Sequence, residues 1–217
     1  MIQTLLTIGE LLSVVMEDLQ SHEGDWSRPG FQALAVYRFG VWRMGVAPRI
    51  ARVPLSVAYR AMFRFVRNFY GIELPYNARI GRRVVIEHQG CIVVHGAAEI
   101  GDDSILRHGV TLGNRSLARP NDAPRIGKFV NIGAGAKILG KVTVGDGASV
   151  GANAVVLSDV PAGVSVGGIP ATELGPATRR GSFIPTPRDG ASDTIPSARL
   201  DDSTDSVKRP TRWRNSG

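Results

Sequence analysis

The chain has 217 residues, room for one sizeable domain or two small ones, and 43% are hydrophobic, enough for a real core. A net charge of +7 favours anionic partners without naming one, and no basic-and-aromatic reading module for nucleic acid is present. Cys91 stands alone, which excludes a disulfide framework and fits a reducing cytoplasm. Coenzyme A phosphates, nucleotide sugars and an acidic membrane surface, touched peripherally, are all compatible with the charge. The opening MIQTLLTIGELLSVVMEDL lacks a basic leader and is broken by Glu10, and no apolar run is long enough to span a bilayer. The expected location is the cytoplasm.

An α-helical region is expected over residues 1–71. Residues 1–20 read as an amphipathic helix, with Leu5, Ile8, Leu12, Val15 and Leu19 at steps of three and four. A polar break, SHEGDWSRPG, follows, and its His22 reads as exposed. GFQALAVYRFGVWRMG predicts a second helix packed through Phe31, Leu34, Tyr37 and Trp42. Pro48 and Pro54 interrupt, and VAYRAMFRFVRNFYG predicts a third helix closing at Gly71. Arg60, Arg64 and Arg67 share a face of it, either as a strip for phosphates or membrane lipid or, more plainly, as a solvated face.

From residue 72 to 171 a six-residue period replaces the helical one. Ile126, Ile132, Ile138, Val144, Val150 and Val156 recur without a miss, after Ile80, Ile86, Ile92 and then Ile100, Leu106, Leu112. Six fits neither a helix face nor strand alternation. It fits one flat side of a triangular coil, so eighteen residues make a turn and stacked turns bury a column of Ile, Val and Leu. The predicted fold is mainly β: a left-handed parallel β-helix of hexapeptide repeats after a small α-helical region. The spacing lengthens by two residues between Ile92 and Ile100, and by eight between Leu112 and Ile126, where NRSLARPNDAPR should protrude as a loop. Residues 172–217 have few large apolar side chains and read as a disordered or loosely attached tail.

Outward positions on such a coil need no large side chain, so the histidines there invite a chemical reading. His88 follows Glu87 in IEHQGC where a small residue is usual, and His95 and His108 lie on the next turn. A positioned imidazole titrates near neutrality and can take the proton of an alcohol that is otherwise a poor nucleophile. Neighbours on a strand point to opposite faces, so Glu87 need not touch His88 directly. No histidine stands in a cluster of Cys or carboxylates with ligand spacing, and no metal is expected.

IEHQGCIVVHGAAEIG, HGVTLGN, IGKFVNIGAGAKILGKVTVGDGASVGANAVVL, VSVGGIPA and, upstream, GFQALAVYRFGVWR are similar to the motifs of the hexapeptide-repeat acyltransferases, within them the serine acetyltransferase group. The resemblance spans roughly residues 20–171. It implies an acetyl-CoA-dependent O-acetyltransferase with His88 as catalytic histidine and Glu87 in place of the preceding aspartate; His108, by its outward position on the coil, is a further catalytic candidate. It also implies that pantetheine runs between coils of adjacent subunits past Gly113, Ala134, Ala152 and Ser158. A homotrimer is therefore expected, with trimers able to pair through residues 1–70. The match has departures. DAPRIG stands where the family has RHPKIG, so Asp122 and Ala123 replace an arginine and a histidine on the acceptor side. HGVTLGN and WSRPGFQALAVYR look closer to exopolysaccharide relatives of the colanic-acid kind. The expected acceptor is accordingly a saccharide hydroxyl held by Asn121, Asp122 and Arg125, with weak activity on L-serine. Serine O-acetylation is the alternative, and a non-catalytic trimeric scaffold the second.

Overall fold

The computed structural model describes residues 7–47 and 49–177. The expectations for Leu5, for the break at Pro48 and for residues 178–217 of the tail lie outside the described residues. Helix α1 (Ile8–Ser21) starts with a capping box in which Thr7 and Glu10 satisfy each other's backbone N–H. Helix α2 (Pro29–Trp42) opens on a proline, whose missing N–H costs nothing at a helix start, and continues as a 3₁₀ turn, Arg43–Gly45. Helix α3 (Arg49–Phe65) begins before Pro54, which the sequence reading treats as a break. Pro54 and Ile50 are both exposed, so water can take the carbonyl that the proline leaves without a donor. A π turn, Val66–Tyr70, ends the helix at Gly71, whose φ of 64° is a left-handed cap. The Arg43 guanidinium lies between the rings of Tyr59 and Tyr76 at 4.4 and 4.6 Å, which fixes α3 to the start of the coil. Among the described residues no helix is long and apolar enough to cross a membrane.

The coil is a parallel β-solenoid of about five turns with three faces. The first face holds β1 (Ile72–Glu73), β4 (Ile92–Val94), β7 (Thr111–Gly113), β10 (Lys137–Leu139) and β13 (Val155–Val156). The second holds β2 (Arg79–Ile80), β5 (Glu99–Ile100), β8 (Arg125–Ile126) and β11 (Thr143–Val144). The third holds β3 (Val85–Glu87), β6 (Ile105–Arg107), β9 (Asn131–Ile132), β12 (Ser149–Val150), β14 (Val164–Gly167) and β15 (Thr172–Pro176). Equivalent residues stack in register, Ile86 on Leu106 on Ile132 and Ile80 on Ile100 on Ile126. Each such aliphatic is accompanied two positions earlier by a second buried residue, as in Ala98 before Ile100 and Ala136 before Ile138. Ser104 fills that second position in one turn; it donates to Gly127 O at 2.9 Å and accepts from Val130 N at 3.1 Å, so its burial is satisfied.

Two boundaries differ from expectation. Val94, not Ile92, is in register with Leu112, while Ile92 pairs with Ile72. The two extra residues of that turn therefore sit in the corner of residues 88–91, between Ile86 and Val94, instead of after Ile92. The chain also stays ordered past residue 171, because β15 returns antiparallel along β14 and covers the open edge of the last turn.

The opposite edge is covered by the helices. The Tyr37 hydroxyl donates to Ala78 O at 2.8 Å and accepts from Ile80 N at 3.1 Å. Arg38 donates to Ile80 O, to Gly81 O and to the buried Asp18 carboxylate at 2.8 Å. His22 is buried, not exposed as its polar neighbours suggest; its Nδ1 donates to Asp18 O at 2.7 Å and its Nε2 accepts from Ile86 N at 3.2 Å.

Candidate active site

Strand β3 turns Ile86 inward and Glu87 sideways, and the lengthened corner then puts His88 at a φ of 65°. A non-glycine residue in that left-handed region costs about 1 kcal/mol or more, and the imidazole stands exposed to solvent. One turn below, His108 leaves the end of β6 at the same corner. The two rings meet edge to face with centroids 5.8 Å apart. Glu87 does not reach His88. Its Oε2 lies 2.7 Å from Arg107 Nε, and Arg107 in turn donates to Asn131 Oδ1 at 2.5 Å. Glu87, Arg107 and Asn131 thus form a ladder across β3, β6 and β9. The sequence reading misses Arg107, although its signal is there: it follows Glu87 by one lengthened turn.

The backbone stacks this corner into a column. Gly109 N donates to Gly90 O, Gly135 N to His108 O and Asn153 N to Ala134 O, all at 2.8–2.9 Å. His88, His108, Ala134 and Ala152 therefore line one edge of the prism, the one between its third and first faces. Gly113 and Ser158 lie along the next edge, where Gly140 N donates to Gly113 O at 2.8 Å. Arg115 runs down that second edge, its stem against Gly140 and its Nη1 3.5 Å from Leu157 O. The protruding insertion springs from the same place. Within it Asn121 is exposed, and Asp122 is held 3.4 Å from Arg119. Arg125 stands at the start of β8 beside Glu99, which also binds Arg79 at 2.7 Å. One copy of the chain thus brings the histidines together with Ala134 and Ala152, and does not bring Gly113, Ser158, Asn121, Asp122 or Arg125 to them. His95 is spent locally, its Nδ1 accepting from Ala97 N at 3.1 Å.

Such an exposed imidazole beside a column of small residues can deprotonate a hydroxyl while a thin ligand lies close to the backbone. Comparison with known proteins gives the chemistry a class. Residues 123–158 match the bacterial transferase hexapeptide (six repeats) model. A serine acetyltransferase of Helicobacter pylori is 36% identical over 163 residues, 73% of this chain and 91% of the relative. The crystal structure of a Brucella abortus serine acetyltransferase in complex with coenzyme A superposes with a TM-score of 0.67 at 28% identity, over 79% of this chain and 70% of that one. Soybean serine acetyltransferase complexed with serine gives 0.64 at 32% identity, over 76% and 69%.

These findings overturn the expectation of an exopolysaccharide acetyltransferase with a saccharide acceptor, because the matched relatives are serine acetyltransferases. The scaffold alternative falls with it, since the relatives are enzymes. Ala123 is packed into the core at the root of the insertion, Asp122 is half-buried, and Arg115, Arg119 and Arg125 keep the insertion and its base cationic. The chain is an acyltransferase and belongs to the serine acetyltransferase family of hexapeptide-repeat transferases.

Proposed function

We propose that the chain transfers the acetyl group of acetyl-CoA to the hydroxyl of L-serine. The observation that carries this reading is the lengthened corner that presents His88 beside His108, in a chain whose relatives are named for that reaction. His88 takes the hydroxyl proton as serine oxygen attacks the thioester carbonyl, and returns it to the departing thiolate when the tetrahedral adduct collapses. His108, facing it, helps to bind and orient the acceptor. Glu87, neutralised by Arg107, braces the strand end and leaves the proton transfer to His88. Pantetheine passes along Ala134 and Ala152 of one copy and Gly113 and Ser158 of the next, which makes a homotrimer the smallest active unit. The neighbour's insertion then brings Asn121, Asp122, Arg115 and Arg125 to the acceptor, an anion for its ammonium and cations for its carboxylate.

Two further contacts of the region before the coil belong to this reading. Pairing of trimers or a touch on an acidic membrane would each use α3, whose outer side exposes Ile50, Val53, Val57 and Phe65 beside Arg49, Arg60 and Arg64. The deciding experiment is thiol release from acetyl-CoA with L-serine, sugar nucleotides and oligosaccharides as separate acceptors. Release with L-serine alone is expected; release with a saccharide and none with serine would overturn the assignment. In the same assay His88→Ala should lower kcat on the order of a hundred- to ten-thousandfold, with acetyl-CoA binding by calorimetry nearly unchanged.

A further inference from the structure

We propose that His22, remote in sequence from the coil, is a positioning residue for the acetyl transfer: its neutral ring clamps the backbone of Ile86 and so sets where His88 points. The proposal rests on the serine-acetylating function above, through the role of His88. Among the described residues no side chain hydrogen-bonds the His88 ring, whose contact is the ring of His108. Its direction is therefore set by the backbone that leads into it. That backbone is the outermost strand of the third face, β3, which has a neighbour in the sheet on one side only, β6. On the open side Ile86 N donates to His22 Nε2 at 3.2 Å. Helix α2 closes on the other polar group of the same residue: a Cβ on Gly30 would lie 2.1 Å from Ile86 O. Ile86 is thus hydrogen-bonded at its N–H and closely packed at its carbonyl by the α1–α2 elbow, two residues ahead of His88.

The bond requires one tautomer. Nδ1 carries the proton and donates to Asp18 O at 2.7 Å, which leaves Nε2 with its lone pair for Ile86. Burial favours the neutral ring and pushes its pKa down. The charged groups that face it are Asp18 and Glu23, which favour a proton, and Arg28, which opposes one; Arg38 stands beyond on Asp18, and β3 offers only backbone. Protonation at Nε2 would put a donor against the Ile86 N–H and release the strand.

Long-range proton–nitrogen NMR on the full chain should show His22 as the Nδ1–H tautomer, whatever the acceptor turns out to be. His22→Leu leaves Ile86 N without a partner and should lower kcat with L-serine on the order of ten- to a hundredfold, with KM for acetyl-CoA within about twofold. His22→Gln supplies an oxygen near the Nε2 position and should restore most of that loss. It cannot take a proton, so the acid limb of its log kcat profile should keep unit slope where the unaltered chain steepens toward two. Should His22→Leu fail to fold, the Gln profile alone carries the test. An Nε2–H tautomer, a folded His22→Leu with unchanged kcat, or a Gln variant whose acid limb matches the unaltered chain would each overturn the proposal. An unaltered chain without serine activity would instead overturn the functional assignment, and the tautomer measurement would still stand.

Discussion

His88 and His22 differ in how openly each declares its role. His88 interrupts a pattern that has no use for a large polar side chain, so its spacing alone marks it for chemistry. His22 sits among Ser21, Glu23, Gly24 and Asp25 and looks solvated, yet it is fully buried, because the strand edge that it satisfies comes from Ile86, far along the chain. No local pattern carries that pairing. The burial has a consequence for stability. The folded ring binds a proton less readily than an ordinary imidazole of pKa 6.5, so the unfolded chain gains protons first and stability falls as pH drops through and below that value. Asp18, whose pKa burial raises, acts in the opposite sense from its ordinary 3.8 upward. Melting temperature should therefore decline between about pH 7 and 5.5, and His22→Gln should flatten that decline in a calorimetric series.

At the scale of elements, the six-residue period locates every face of the coil but cannot say which corner holds an insertion, because Ile92 and Val94 are both aliphatic and both buried. Register decides it: Val94 stacks on Leu112, and the extra residues fall beside His88. Deleting Gln89 and Gly90 would return that corner to the common length. The coil should stay folded, with little change in melting temperature, while turnover falls by at least about a hundredfold as His88 is drawn back toward the strand. The column itself should answer differently. Ile132 is fully buried between Leu106 and Val150, and Ile132→Ala should cost about 2–5 kcal/mol in urea unfolding, against about 0.5 kcal/mol or less for the exposed Val93→Ala. The helices are less legible than the coil. Pro54 looks like a stop, and only the exposure of that side of α3 explains why the helix runs through it.

At the scale of the whole molecule, one chain carries its proposed parts on two edges of a prism. His88, His108, Ala134 and Ala152 stack along one, and Gly113, Ser158 and the root of the insertion along the next. A rigid solenoid cannot fold one edge onto another, since the intervening face is a hydrogen-bonded sheet. If both sets serve one acetyl transfer, the second set has to come from another copy, and closed rotational symmetry makes three equal sites when three coils pack side by side. Native mass measurement should then give about 70 kDa or a multiple, from chains of 23.2 kDa. A mixing experiment tests the division of labour itself. His88→Ala spoils one edge and Gly113→Trp blocks the other, so each variant alone should be inactive. Co-expressed, some interfaces of a mixed trimer join the intact histidine edge of one copy to the intact glycine edge of the next. Activity should return in part, and only when the variants are assembled together; purified homotrimers mixed afterwards should stay inactive until they exchange subunits. No recovery in mixed trimers of confirmed composition would mean that each chain completes its site alone.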